Sequence, residues 1–161
     1  MALKGRRPSP MSDIVLEFLL PSVDRVGSLR FFDRAPIDQS QELESYAVQI
    51  VNQDLSATIR VWAGYELSSP MAFFQEMAEH SHGWEGDLTW ESLEGELALA
   101  ATHDGLGHIR VSVGLKSGHM PDDWHVRGCV RTEAGLLSSH AHHAAKFFGR
   151  TNSSFETSPA N

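Results

Sequence analysis

Trp84-Glu85-Gly86-Asp87-Leu88-Thr89-Trp90-Glu91-Ser92-Leu93-Glu94-Gly95 is the stretch on which the reading of the fold turns. Its twelve residues hold two of the four tryptophans, two glycines and four acids. Helical spacing gives way to strand alternation across it. Trp84 and Trp90 are read as anchors of both neighbouring segments, with Gly95 and Trp124 as further structural anchors. Trp90, between a loop and an apolar strand, is expected to be mostly buried, so that Trp90→Ala would cost roughly 3–5 kcal/mol.

Upstream, Ser68-Ser69-Pro70 offers a hydroxyl cap and a proline for a helix start. Met71, Phe73, Phe74 and Met77 make one apolar stripe down to about His80, with Gly83 as the C′ residue. Before that helix, alternation predicts strands over residues 14–20, 28–34, 44–51 and 55–63. In the last two, the inward set Tyr46, Val48 and Ile50 is even-numbered and Leu55, Ala57, Ile59 and Val61 odd-numbered. Their turn at Asn52-Gln53-Asp54 must therefore hold an even number of residues.

Downstream, Leu93, Leu97 and Leu99 face one way and Glu94 and Glu96 the other. Asp104-Gly105 resembles a two-residue turn, but that register sets Leu99 against Arg110. A turn of three or five residues matches apolar to apolar, written as Leu99 with Val111 and Leu97 with Val113, with Gly105 or Gly107 at positive φ. The next strand, Trp124 to Arg131, turns Trp124, Val126 and Val130 inward and His125, Arg127 and Arg131 outward. A final helix begins near Ala134-Gly135, carries the stripe Leu137, Ala141, Ala144 and Phe148, and ends at Gly149. The order predicts an α+β fold: a curved antiparallel sheet of about six to seven strands, two helices packed on one face, and a β-β-β-α pattern occurring twice.

The 161 residues suffice for one domain, read as 13–149 between disordered tails at 1–12 and 150–161, with Met11 as an alternative start. A net charge of −8 disfavours nucleic acid, and the apolar run Ile14 to Leu20 is too short to span a membrane. With Cys129 as the sole cysteine and no signal segment, a cytoplasmic location is expected.

Nine histidines fall into local groups. His80, His82, His103 and His108 are the candidates if a metal binds, but no ligand-spacing motif accompanies them, so no metal or cofactor is expected. On the final helix His140 is read as half-buried and bonded to a backbone carbonyl, His142 as exposed and His143 as borderline. Cys129 is placed on the charged outer strand face beside Arg127 and Arg131, mid-strand, an unusual position for a nucleophile.

The run Gly83-Trp84-x-Gly86-x-x-x-Trp90-x-Ser92-Leu93-Glu94-Gly95, with Gly107-His108, Trp124, Ala134-Gly135 and Phe147-Phe148, resembles a family of small bacterial proteins of unknown function, family 6228. The resemblance implies a single-domain protein and carries no assigned activity. Size and acidity are also similar to small immunity proteins that neutralise bacterial toxins.

The reading is a non-enzymatic protein-binding module, possible immunity or antitoxin roles included, with a basic protein as partner. Its candidate binding residues are Glu85, Asp87, Glu91, Glu94 and Glu96 with Arg110, Arg127, Arg131 and Trp62. The alternative is an enzyme or small-ligand domain built on the histidine-rich loops and the Trp84–Gly95 segment.

Overall fold

The structure is a computed structural model that describes residues 15–37, 42–64 and 69–149. The two expected tails, Ile14 and Ser68 lie outside the described residues. The chain is built of β1 (Glu17–Pro21), β2 (Gly27–Pro36), β3 (Leu43–Asn52), β4 (Leu55–Trp62), α1 (Met71–Glu79), β5 (Leu88–Glu91), β6 (Leu97–His103), β7 (His108–Lys116), β8 (His125–Glu133) and α2 (Leu137–Phe148), with a short 3-10 turn at Ala134–Leu136 leading into α2.

The class is α+β, but the single sheet expected from the sequence is two. β1 to β4 form one four-stranded antiparallel meander and β5 to β8 a second, and each is followed by a helix. The repeating pattern is thus four strands and a helix, not three. The missed strand is β5, inside the tryptophan segment, where Leu88, Thr89, Trp90 and Glu91 pair with Ala101, Ala100, Leu99 and Ala98. Four residues hemmed by glycines give too short an alternation to stand out. α1 separates β4 from β5, so the second meander starts a sheet of its own.

The first hairpin has the even loop required by its pattern. Asn52 pairs with Leu55 around Gln53-Asp54, and Tyr46, Val48 and Ile50 face Val61, Ile59 and Ala57. Asp54 takes a left-handed φ of 54°, the conformation that such tight turns demand. The second hairpin has the odd loop, in its five-residue form: His103 pairs with Ile109, Leu99 with Val113 and Leu97 with Leu115. The written partners are therefore displaced by two residues while the faces stay right. Asp104 organises this turn. Its carboxylate accepts from the Leu106 and His108 amides at 2.7 and 3.1 Å and from His108 Nδ1 at 2.6 Å. The His108 ring and then the Leu106 amide draw its pKa down to about 2. Gly105 and Gly107 both have positive φ, at 78° and 96°.

The core is phenylalanine, not tryptophan. Phe31 stacks on Phe18 at 5.5 Å and meets Phe74 and Phe148 edge-on at 6.1 and 5.1 Å. Tyr46 meets Phe148 edge-on at 5.3 Å. These rings join the first sheet to both helices. α1 and α2 pack on each other, α2 also against β1 and α1 against β5. The first strand, expected from residue 14, begins only at Glu17, and Leu16 before it is 75 % exposed. α1 ends at Glu79 and Gly83 lies beyond its cap, so Gly83 is not the C′ residue; its amide donates to His80 O at 2.9 Å. Gly149 does follow α2, in extended backbone, donating to Ala145 O at 2.8 Å.

Trp84 and Trp90 are half-buried against the core, and Trp124 is 42 % exposed, just before β8 begins. The tryptophans fix edges of the fold while the phenylalanines fill it. Phe31→Ala should therefore cost about 3–5 kcal/mol, and Trp90→Ala only about half as much, since part of its surface is already in water. Chemical denaturation of the two variants checks the order; equal losses would restore Trp90 as a core anchor.

Candidate functional site

The outward positions of the second sheet are unusually small. Ala98 pairs with Gly114 and Ala100 with Ser112, and all four point away from the core. Large or β-branched side chains normally cover such positions. Here their absence leaves an approachable, concave strip of backbone. The β3–β4 turn, through Asn52, Gln53 and Leu55, rises as a wall along one side. The result is an open groove of about 1100 Å³.

The wall is held by long-range contacts. Asn52 Nδ2 donates to Cys129 O at 2.9 Å. A Cβ on Gly128 would lie 2.6 Å from Ile50 Cγ1, so glycine is what lets β3 approach β8 this closely. Val23 N donates to Arg131 O at 2.9 Å, and Arg131 N donates to Ser22 Oγ at 3.0 Å. The outer edge of β8, which would otherwise present unpaired backbone, is thus capped by the first half of the chain.

Charge is unevenly spread over this groove. Arg110, Lys116, His125 and Arg127 line the β7–β8 side, and Asp87 and Glu91 line the β5 side. The Arg127 side chain forms no hydrogen bond or ion pair among the described residues. Arg110 donates through Nε to Cys129 Sγ at 3.1 Å. The sulfur shares the outer face with Arg127 and Arg131, as the alternation implies; the contact with Arg110 on the neighbouring strand follows from the register and was not foreseen. Arg131 lies beyond the groove, 3.8 Å from Asp24.

The acidic segment does not form one patch. Glu85 is exposed in the loop before β5, and Asp87 and Glu91 reach the groove margin. Glu94 is exposed in the Ser92–Gly95 turn, outside any strand. Glu96 is not on the outer face of a strand: it accepts from Ser92 Oγ at 2.7 Å and from Trp62 N at 3.4 Å. Gly95 earns its place by a φ of 74°, with the Glu91 carboxylate 3.2 Å from where a Cβ would stand. Trp62, 36 % exposed, lies at the far end of β4 with Leu93 against Gly64.

The histidines are spent locally. His103 bridges two segments, donating through Nε2 to Ser81 O at 3.1 Å and accepting from the Gly105 amide at Nδ1, 2.9 Å. Trp84 packs edge-on against it and donates to Ala101 O at 3.1 Å. His80 Nδ1 donates back to Glu76 O, His82 is exposed, and His108 is held by Asp104. Among the described residues no three His, Cys, Asp or Glu side chains converge on a point that could hold an ion. No described helix is long and apolar enough to cross a membrane.

His140 is more buried than expected, at 9 % exposure, and its Nε2 meets the Thr132 hydroxyl at 2.8 Å in place of a backbone carbonyl. Thr132 follows Val130 on the inward face, and that alternation was the missed signal. His143 is exposed, as is His142. Burial, and then the charge of His143, lower the His140 pKa to about 4.

Residues 21–151 match a family of unknown function, DUF6228, and the chain belongs to it. No curated protein and no solved structure matches the chain.

Below pH 6.5 the unfolded chain protonates His140 while the folded chain resists until about pH 4, so stability falls with pH through that window. The loss attributable to this group should reach about 1–2 kcal/mol after allowing for partial screening by solvent. The double variant Thr132→Val/His140→Leu removes both partners and should flatten the decline between pH 6.5 and pH 4; denaturation curves of equal slope in both proteins would contradict this assignment.

Proposed function

We propose that this member of DUF6228 is a non-enzymatic binding protein whose partner protein docks in the groove on the outer face of the second sheet. The observation that carries the reading is the paired small floor, Ala98 with Gly114 and Ala100 with Ser112, beneath a wall supplied by the other half of the chain. A rigid, preformed surface loses little entropy on association. Guanidinium groups, a hydroxyl and open backbone are groups of recognition. Among the described residues Cys129 accepts from the Arg110 guanidinium, and no hydrogen bond joins it to an imidazole of the kind that activates a thiol nucleophile.

Such a surface suits a small acidic protein that acts by occupying another, and an immunity-type role is the form of this function that size and charge support. Neighbouring genes bear on that role directly: an adjacent gene for a secreted toxin supports it, and a metabolic operon argues for a small-molecule ligand instead.

A photo-crosslinking residue at position 112, on the groove floor, should give a discrete adduct in cells that make the protein. The same residue at position 58, outward on β4 of the first sheet, should give none. Ala100→Trp should abolish the adduct by filling the floor while leaving the melting temperature close to wild type, because its side chain points outward. Equal adducts from both positions, or persistence in the filled variant, would remove the groove from the function.

A further inference from the structure

The outer faces of the two sheets differ in how they treat their arginines. On the first sheet Arg30 pairs with Glu17 at 2.9 Å and lies over the Phe32 ring at 4.1 Å. Arg60 pairs with Asp33 and also donates to Ser45 Oγ at 3.0 Å. Both of these are neutralised in place, while Arg34 of β2 lies over the Phe147 ring, 5.7 Å from its centroid. On the second sheet Arg127 forms no such pair among the described residues, and Arg110 has a sulfur for its neighbour. A chain with 21 acids and 13 bases has carboxylates to spare, yet of the four basic side chains on this face, Arg110, Lys116, Arg127 and Arg131, only Arg131 forms an ion pair among the described residues, with Asp24.

Holding guanidinium forks without carboxylates beside a concave floor costs self-repulsion, which an incoming anion relieves. We infer that the groove takes an extended acidic segment of a partner polypeptide, with carboxylates on Arg110 and Arg127. This deepens the binding reading above and rests on it. The register fixes the spacing. Arg127 sits opposite Gly114, four residues along β7 from Arg110. At about 3.4 Å per residue the two forks are ~14 Å apart along the strand. An extended segment with acids four residues apart matches that span. Asp87 and Glu91 line the β5 margin, so the carboxylates of the segment sit on the β7–β8 side of the groove.

The test is a titration of the isotope-labelled full chain with hexaglutamate, followed by amide NMR. The expected result is movement of the Arg110, Ser112, Gly114 and Arg127 signals, weakening as salt rises from about 20 to about 200 mM. Arg110→Gln/Arg127→Gln should weaken binding about tenfold, and the control Arg30→Gln/Arg60→Gln should not. Unmoved groove signals, or a double variant that binds as wild type, would overturn the inference. Movement by hexalysine but not hexaglutamate would overturn the acidic occupant and leave the groove as a binding site. Tighter binding of hexathymidylate than of hexaglutamate would overturn it in favour of phosphate. Silence towards the peptides together with loss of the position-112 adduct would remove the groove reading as well.

Discussion

The free edge of β8 is the constraint around which the molecule is arranged. A nine-residue strand at the end of a four-stranded sheet leaves a row of backbone donors and acceptors that needs covering. The first half of the chain covers it: Val23 donates to Arg131, Ser22 accepts from Arg131, and Asn52 donates to Cys129. Gly128 lets Ile50 come close enough to make the seam tight. Because β3 and β4 meet the seam at their turn, the same contacts lift residues 52–55 into the wall of the groove. Edge protection and site construction are one feature of the fold.

How much of this could be read from the residues depends on what a repeat of two can encode. Alternation fixes which face a residue takes, and it placed Tyr46, Val48 and Ile50 in the core and Arg127 and Cys129 outside. It fixes only the parity of a turn. Slipping β6 against β7 by two residues keeps every apolar face in register, so three-residue and five-residue turns looked alike. What chooses five is local: the Asp104 carboxylate needs amides two and four residues on, and the backbone needs two glycines at positive φ. β5 was hidden because four residues cannot show a period. The groove was hidden because its wall and floor lie 77 residues apart at the Asn52–Cys129 contact, beyond any local pattern. The small outward residues Ala98, Ala100, Ser112 and Gly114 were visible as letters, and only the pairing made them a floor.

The two halves share one plan, four strands and a helix carrying a Phe-Phe pair, but differ in surface chemistry. The phenylalanines do the same work in both: Phe74 and Phe148 meet Phe18 and Phe31 edge-on, so the helices close a common core. The outer faces then diverge. On the first, Arg30 and Arg60 are held in ion pairs; the second keeps a small floor and, in Arg110 and Arg127, guanidinium groups with no carboxylate partner among the described residues. That divergence is the ground for the binding surface proposed on the second sheet, and the five carboxylates of the acidic segment do not form one patch.

Whether the two halves are welded along β8 decides whether the groove has a fixed wall. Amide hydrogen exchange at Val23 and Arg131 measures this directly. Both should exchange within about tenfold of Ile50 and Val111 in the strand centres, because their bonds open only when the seam does. Exchange at either position as fast as that of Gln53, exposed in the β3–β4 turn, would mean that the halves separate freely and that the groove has no fixed wall.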